Sequence, residues 1–255
     1  LTDTNESCPP KDPVLFLSPH GKLIFARPVP QIENLVLAGG GVRGVIYIGA
    51  LMALQEKSIL DGISEVAGTS IGAVVGAGIA AGMQAENLNE KMQNLNFKSL
   101  LGEKVGVFKR DGIPLYDFVN VMMKEGIFRY FNQNPQGKAN RKPQSILSKL
   151  RTNDEITFED LDTLHRIDPK VFKKLHITAY CIEKKQELIF NSVTTPHLGI
   201  AAACRASGSL TVKLKHAKLQ AELLKDLFTL DQGISYYSFV DGGMNDNIPT
   251  DVFEK

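Results

Sequence analysis

Cysteine is scarce: Cys8, Cys181 and Cys204 are the only three in 255 residues, far apart and odd in number. They form no C-x-x-C pair and no cysteine/histidine spacing suited to zinc, so free or buried thiols are expected and no metal site. An excess of one charge is also missing. Lys and Arg number 29 against 28 Asp and Glu, and a formal charge of +1 supplies no field to gather nucleic acid. Val66–Gln84 is uncharged, yet crowded with glycine and alanine, and does not read as a membrane span. Leu1–Lys11 has neither the basic flank nor the apolar centre of a cleaved signal peptide. If the substrate is a lipid, the expectation is a soluble protein that meets the bilayer peripherally, from the aqueous side.

With 43% hydrophobic residues, the chain can bury one large core. Residues 1–31 read as an N-terminal extension holding a hairpin, Val14–Leu17 and Leu23–Ala26 about the turn Ser18-Pro19-His20-Gly21. The spacing then predicts a strand over Asn34–Ala38, a glycine turn and a helix over Val45–Lys57. A second strand, turn and helix follow over Ile63–Ala67, Gly68–Gly72 and Ala73–Met83. Two such units in series imply a parallel sheet. Helices are expected over Ala85–Leu95, Tyr116–Glu125, from Thr157 to Leu164 behind a Thr157/Asp160 capping box, and over Leu198–Ser207. Asn132–Gln144 reads as a polar surface loop whose Lys138, Arg141 and Lys142 are solvated or touch phosphate. Leu175–Ile182 and Leu188–Ser192 read as a hairpin, and Tyr236–Val240 as a strand running into Asp241-Gly242-Gly243.

Three elements carry chemistry. Gly68-Thr69-Ser70-Ile71-Gly72 fits G-x-S-x-G, in which Gly68 and Gly72 let the chain turn so sharply that the serine hydroxyl stands clear of the sheet. The motif is weak alone and stronger for lying between a strand and a helix. Gly39-Gly40-Gly41-Val42-Arg43-Gly44 allows backbone N–H groups to converge on an anion, with Arg43 adding positive charge, although a tightly packed turn is the competing reading. Asp241 ends an apolar strand where a carboxylate can be held at a sheet edge, although Asp-Gly-Gly by itself is an ordinary turn. Histidine is missing where a serine hydrolase usually places its base. The last is His216, and His20, His165, His176 and His197 lack a glycine-rich or strand-end setting. Asp241 would then be the direct base, in a site dry enough to raise its proton affinity.

Taken together in this order, the G-G-G-x-R-G loop, the G-x-S-x-G elbow and the D-G-G aspartate resemble the patatin-like phospholipase family over Ile32 to about Thr250. The resemblance implies an α/β three-layer sandwich with a mainly parallel central sheet flanked by helices, with residues 32–255 as the catalytic domain. It implies Ser70 as nucleophile, Asp241 as its base, an oxyanion loop through Gly40, Gly41 and Arg43, and no metal or organic cofactor. Gly39 and Gly44 are expected in the same oxyanion hole, and Arg205-Ala206-Ser207 and Asn247-Ile248-Pro249 look like further family landmarks. The expected reaction is hydrolysis of a phospholipid or lysophospholipid ester at a membrane surface. Some family members are bacterial effectors secreted into host cells that need an activating protein partner.

Leu210–Gly233 departs from the family pattern. Leu219, Leu223, Leu224, Leu227 and Phe228 mark one apolar helical face, preceded by Lys213, Lys215 and Lys218. A helix covering the sheet is the favoured reading, and a helix lying in a bilayer interface the alternative. Two other functions stay open. Gly39, Gly41 and Gly44 also spell G-x-G-x-x-G with Asp61 near the acidic spacing of a dinucleotide site, and the chain can be a catalytically idle binding module.

Overall fold

The computed structural model describes residues 14–26, 31–102, 104–105, 109–133, 144–152, 154–210 and 214–254. It divides into two units, Leu1–Ile32 and Glu33–Lys255. In the first, β1 (Val14–Leu17) and β2 (Leu23–Ala26) pair antiparallel from Val14↔Ala26 to Leu17↔Leu23. Their turn is closed by the Lys22 N–H donating to Ser18 Oγ at 3.1 Å.

The second unit runs β3 (Asn34–Leu37), a 3-10 turn over Gly41–Val45, α1 (Ile46–Glu56), α2 (Ile59–Gly62), β4 (Glu65–Thr69), α3 (Ile71–Ala80) and α4 (Ala85–Gln93). A short ribbon of β5 (Lys104–Val105) and β6 (Lys109–Arg110) precedes α5 (Ile113–Gln133), α6 (Gln144–Lys149) and α7 (Phe158–Ile167). Then come β7 (Lys174–Cys181), β8 (Gln186–Phe190), α8 (Ile200–Ser207), β9 (Ala217–Gln220) and β10 (Tyr236–Asp241). Six strands form one sheet flanked by helices. The parallel pairing expected from the strand-turn-helix units joins β3 to β4 and β4 to β7. The sheet as a whole is mixed, because β8 and β10 pair antiparallel to β7 and β9 antiparallel to β10. The tight β7–β8 turn, with Lys185 at φ 53°, reverses β8 against β7.

One consequence of the register positions the site. A strand has two edges, and β8 takes one edge of β7 from Ile177 to Cys181. β4 and β10 must therefore share the other, β4 running parallel as far as Thr69↔Thr178 and β10 antiparallel as far as Asp241↔Ala179. The two strands end facing each other, on adjacent residues of β7. Asp241 thus arrives against the direction of β4, where a carboxylate at the carboxyl edge of a mainly parallel sheet is expected from the sequence.

Every residue of α3 is buried, which explains its composition. A Cβ on Gly76 would lie 3.1 Å from Val66 of the sheet, and one on Gly78 would lie 2.5 Å from Leu88 of α4, so the helix fits between layers only with small residues. The expected helix Tyr116–Glu125 is the middle of the 21-residue α5. Gly126 sits inside this helix, where a Cβ would meet the Ala81 carbonyl oxygen at 2.7 Å. The capping box forms, with Thr157 Oγ1 accepting from the Asp160 N–H and Asp160 Oδ2 from the Thr157 N–H. The strand expected over Ile63–Ala67 begins two residues later, with Ile63 buried in the turn before it.

The helical face over Leu219–Phe228 is corrected. Ala217–Gln220 is a strand whose Ala217 and Leu219 point inward while Lys218 and Gln220 point out, and Ala221–Leu224 is a single 3-10 turn. Leu224 is fully buried, and the Phe228 ring packs edge-on against Tyr237 at 4.9 Å, so β10 had already claimed this apolar set as cover. No amphipathic helix is available there to lie in a bilayer. Lys213 falls outside the described residues, as do Cys8, Lys138, Arg141 and Lys142, with most of the expected loop Asn132–Gln144. Asn132 and Gln133 close α5 and Gln144 opens α6. Cys181 and Cys204 are buried free thiols.

Candidate active site

Ser70 follows the last residue of β4 and precedes α3, at φ 56° and ψ −121°. Such a conformation costs a non-glycine residue on the order of 1–3 kcal/mol and persists only where its surroundings impose it. They do so closely. A Cβ on Gly68 would lie 2.5 Å from the Gly72 carbonyl oxygen, and one on Gly72 would lie 2.1 Å from that of Leu37. The elbow tolerates only glycine at both positions, as the motif implied. The Ser70 N–H donates to the buried Ser207 Oγ at 2.8 Å, and α3 directs its N-terminal dipole at the serine.

Asp241 closes β10 opposite. Ser70 Oγ donates to Asp241 Oδ2 at 2.7 Å, and the Gly243 N–H donates to Oδ1 at 2.9 Å. Both residues are buried, Ser70 at 7% and Asp241 at 4% exposure. Burial pushes the Asp241 carboxyl up from its ordinary value, against the two hydrogen bonds, which favour the charged form. Gly242 lets the chain turn against β7, since a Cβ there would lie 2.8 Å from the Thr178 carbonyl oxygen. The backbone is held as well. The Asp241 N–H donates to the Ser209 carbonyl at 3.0 Å, so the short segment Ser207–Ser209 grips both Ser70 and Asp241. Arg205 is buried in turn, giving hydrogen bonds to Ser209 Oγ and to the carbonyls of Asp111 and Lys215. The Arg-Ala-Ser landmark therefore braces the site from behind, a role that its sequence did not reveal.

Of the glycines expected to form an oxyanion hole, Gly39 and Gly44 are engaged elsewhere, the first by a hydrogen bond and the second by packing. Gly40 and Gly41, the latter at φ 57°, line the cavity beside Ser70, and their amides have no protein acceptor among the described residues. The Gly39 N–H is spent on the Asn247 carbonyl at 3.1 Å, and Asn247 Nδ2 returns a bond to the Gly39 carbonyl at 3.2 Å, so Asn247 ties this loop to the one after Asp241. Gly44 is buried against Ile71, which a Cβ would strike at 2.3 Å. Arg43 is exposed on the same turn. The cavity over Ser70 encloses about 430 Å³ between apolar walls that include Val42, Val74, Phe97, Leu115, Leu210 and Leu214. An adjoining cleft of about 360 Å³ reaches both Ser70 and Asp241.

Histidine is engaged elsewhere in this unit. His165 bonds the Phe172 carbonyl, His176 pairs with Glu65 at 2.8 Å, His197 lies 3.2 Å from Glu159, and His216 lines a separate cleft with Lys218. Ser70 meets Asp241 directly, with no imidazole between. The dinucleotide arrangement is not assembled: Asp61 lies in α2 before β4 begins, at the end of that strand opposite the glycine loop. Among the described residues, no three His, Cys, Asp or Glu side chains cluster to hold a metal ion.

A family model described as patatin-like phospholipase matches residues 35–254. The chain belongs to that family. Among solved structures, ExoU from the type III secretion system of Pseudomonas aeruginosa, in complex with SpcU, is 28% identical with a TM-score of 0.63, over 78% of this chain and 42% of that one. VipD from Legionella pneumophila shares the patatin fold at 19% identity and a TM-score of 0.70, over 98% of this chain and 52% of that one. An uncharacterized protein of Acanthamoeba polyphaga mimivirus is 23% identical over 87% of this chain and 63% of its own length. The chain spans about half the length of these solved patatin-like neighbours and less than two thirds of that curated relative.

Proposed function

We propose that this chain is a lipid acyl hydrolase working through a Ser70–Asp241 dyad on a glycerophospholipid or lysophospholipid ester. The observation that carries the reading is the 2.7 Å hydrogen bond from Ser70 Oγ to Asp241 Oδ2 at the floor of an apolar cavity. Asp241 takes the proton from Ser70 Oγ as the oxygen attacks the ester carbonyl, and the Gly40 and Gly41 amides receive the negative charge of the tetrahedral intermediate. Collapse of that intermediate expels the alcohol, which leaves with the proton from Asp241. Water then gives its proton to the same carboxylate and attacks the acyl-serine, and Ser70 Oγ departs with that proton as the fatty acid is released. Arg43 is exposed on the oxyanion loop, where its guanidinium suits a substrate phosphate. The likeness to ExoU, solved with SpcU, supports a protein partner as well.

Purified Ser70→Ala and Asp241→Asn should each lose fatty-acid release by roughly 10³-fold or more. A fluorophosphonate should label Ser70 in the unsubstituted chain, and mass spectrometry of mixed phospholipids, with and without a eukaryotic extract, reads the products. Retained hydrolysis in both variants would defeat the assignment.

A further inference from the structure

We propose that the lips of the Ser70 cavity are the surface by which this protein docks on a phospholipid bilayer, an inference that rests on the lipid-hydrolase reading. One lip is the turn from the glycine loop into α1. Val42, Val45 and Ile46 are exposed at 62%, 46% and 71%, and their i, i+3, i+4 spacing sets them on one face. Val42 also lines the cavity, so that face borders the mouth. The other lip follows Asp241. Met244 and Ile248 are exposed at 65% and 55%, Met244 lines the cleft shared by Ser70 and Asp241, and Asn247 joins this lip to Gly39 of the first. Leu210 lines both the cavity and the cleft.

Large apolar side chains exposed on two loops around one cavity mouth mark an interaction surface. A bilayer fits this use better than a protein, because Val42 and Leu210 belong at once to the rim and to the cavity wall. An acyl chain leaving a bilayer at this rim passes into the cavity without being wetted. Charge agrees. Arg43 stands exposed within the first lip, with no ion pair among the described residues, and Lys98 on the cavity wall is a second cation facing anionic headgroups. Asp246, within the second lip, turns Oδ1 to the Ile248 N–H.

Vesicle sedimentation tests this with the full chain carrying Ser70→Ala, so that the vesicles are not consumed. Phosphatidylcholine vesicles containing phosphatidylserine should pull the protein down. Adding Val45→Gln, Ile46→Gln and Ile248→Gln should weaken partitioning by roughly tenfold or more. The same three changes in the Ser70 chain should leave turnover of a water-dissolved short-chain ester unchanged. Val121→Gln with Phe128→Gln, at residues exposed 59% and 54% on α5, is the control and should sediment like the parent. The proposal is overturned if the parent ignores vesicles, if the triple variant sediments undiminished, or if the control loses as much. Failure of the hydrolase reading shows separately, as no turnover of the dissolved ester by the unsubstituted chain.

Discussion

The proposed chemistry rests on a carboxylate kept dry and a serine kept strained. Because burial raises the Asp241 carboxyl above its ordinary range, and the base must be ionised to accept a proton, turnover of a dissolved ester should fall as pH drops through that raised value and be full above it. A pH–rate profile whose acid limb sits at the ordinary carboxylate value would remove the buried base. Ser207 offers a second measurement at this scale. Its Oγ accepts the N–H of the strained Ser70, so Ser207→Ala leaves a buried donor unpaired at about 1–3 kcal/mol. It also loosens the nucleophile, lowering kcat roughly tenfold or more with KM unchanged. A loss of stability with kcat intact would make Ser207 a packing residue and nothing more.

Elements differ in how plainly their residues announce them. The elbow is legible because its requirement is local: a turn this tight excludes any side chain at Gly68 and Gly72, so glycine marks the place. Gly72→Ala should accordingly prevent folding or cost several kcal/mol, seen by thermal denaturation, since its Cβ would meet backbone that cannot retreat. The stretch from Leu219 is not legible, because its leucines recur at helical intervals while Leu219 pairs with β10 in a strand and Leu224 is buried from a single 3-10 turn. Leu224→Ala should cost about 2–5 kcal/mol in unfolding free energy, as a fully buried leucine does. Vesicle binding should be unaffected, whereas a helix lying in the bilayer would show the opposite pattern. The helix expected over Tyr116–Glu125 runs on through Gly126, which permits α5 to approach Ala81.

At the scale of the whole molecule, the proposed dyad is a property of the sheet. Ser70 and Asp241 are 171 positions apart, and they meet because β4 and β10 end face to face on one edge of β7. Arg205 and the Ser207–Ser209 segment brace the same meeting from α8. A site drawn from four separate elements has no stable existence outside the packed sheet. Activity and far-UV circular dichroism should therefore be lost at the same denaturant midpoint, and activity lost well before the helical signal would mean that the site sits on a unit that unfolds separately.

Residue types alone determined where the chain turns sharply and which serine and aspartate stand at strand ends, because these depend on local sterics and on order along the chain. Only the tertiary structure decided which strand edge brings Ser70 to Asp241, which glycine amides are left open and which are spent on Asn247, and that a cavity with apolar walls opens above the pair. Those outcomes depend on hydrogen-bond register and burial between segments far apart in sequence, and neither leaves a trace in the periodicity of any one segment.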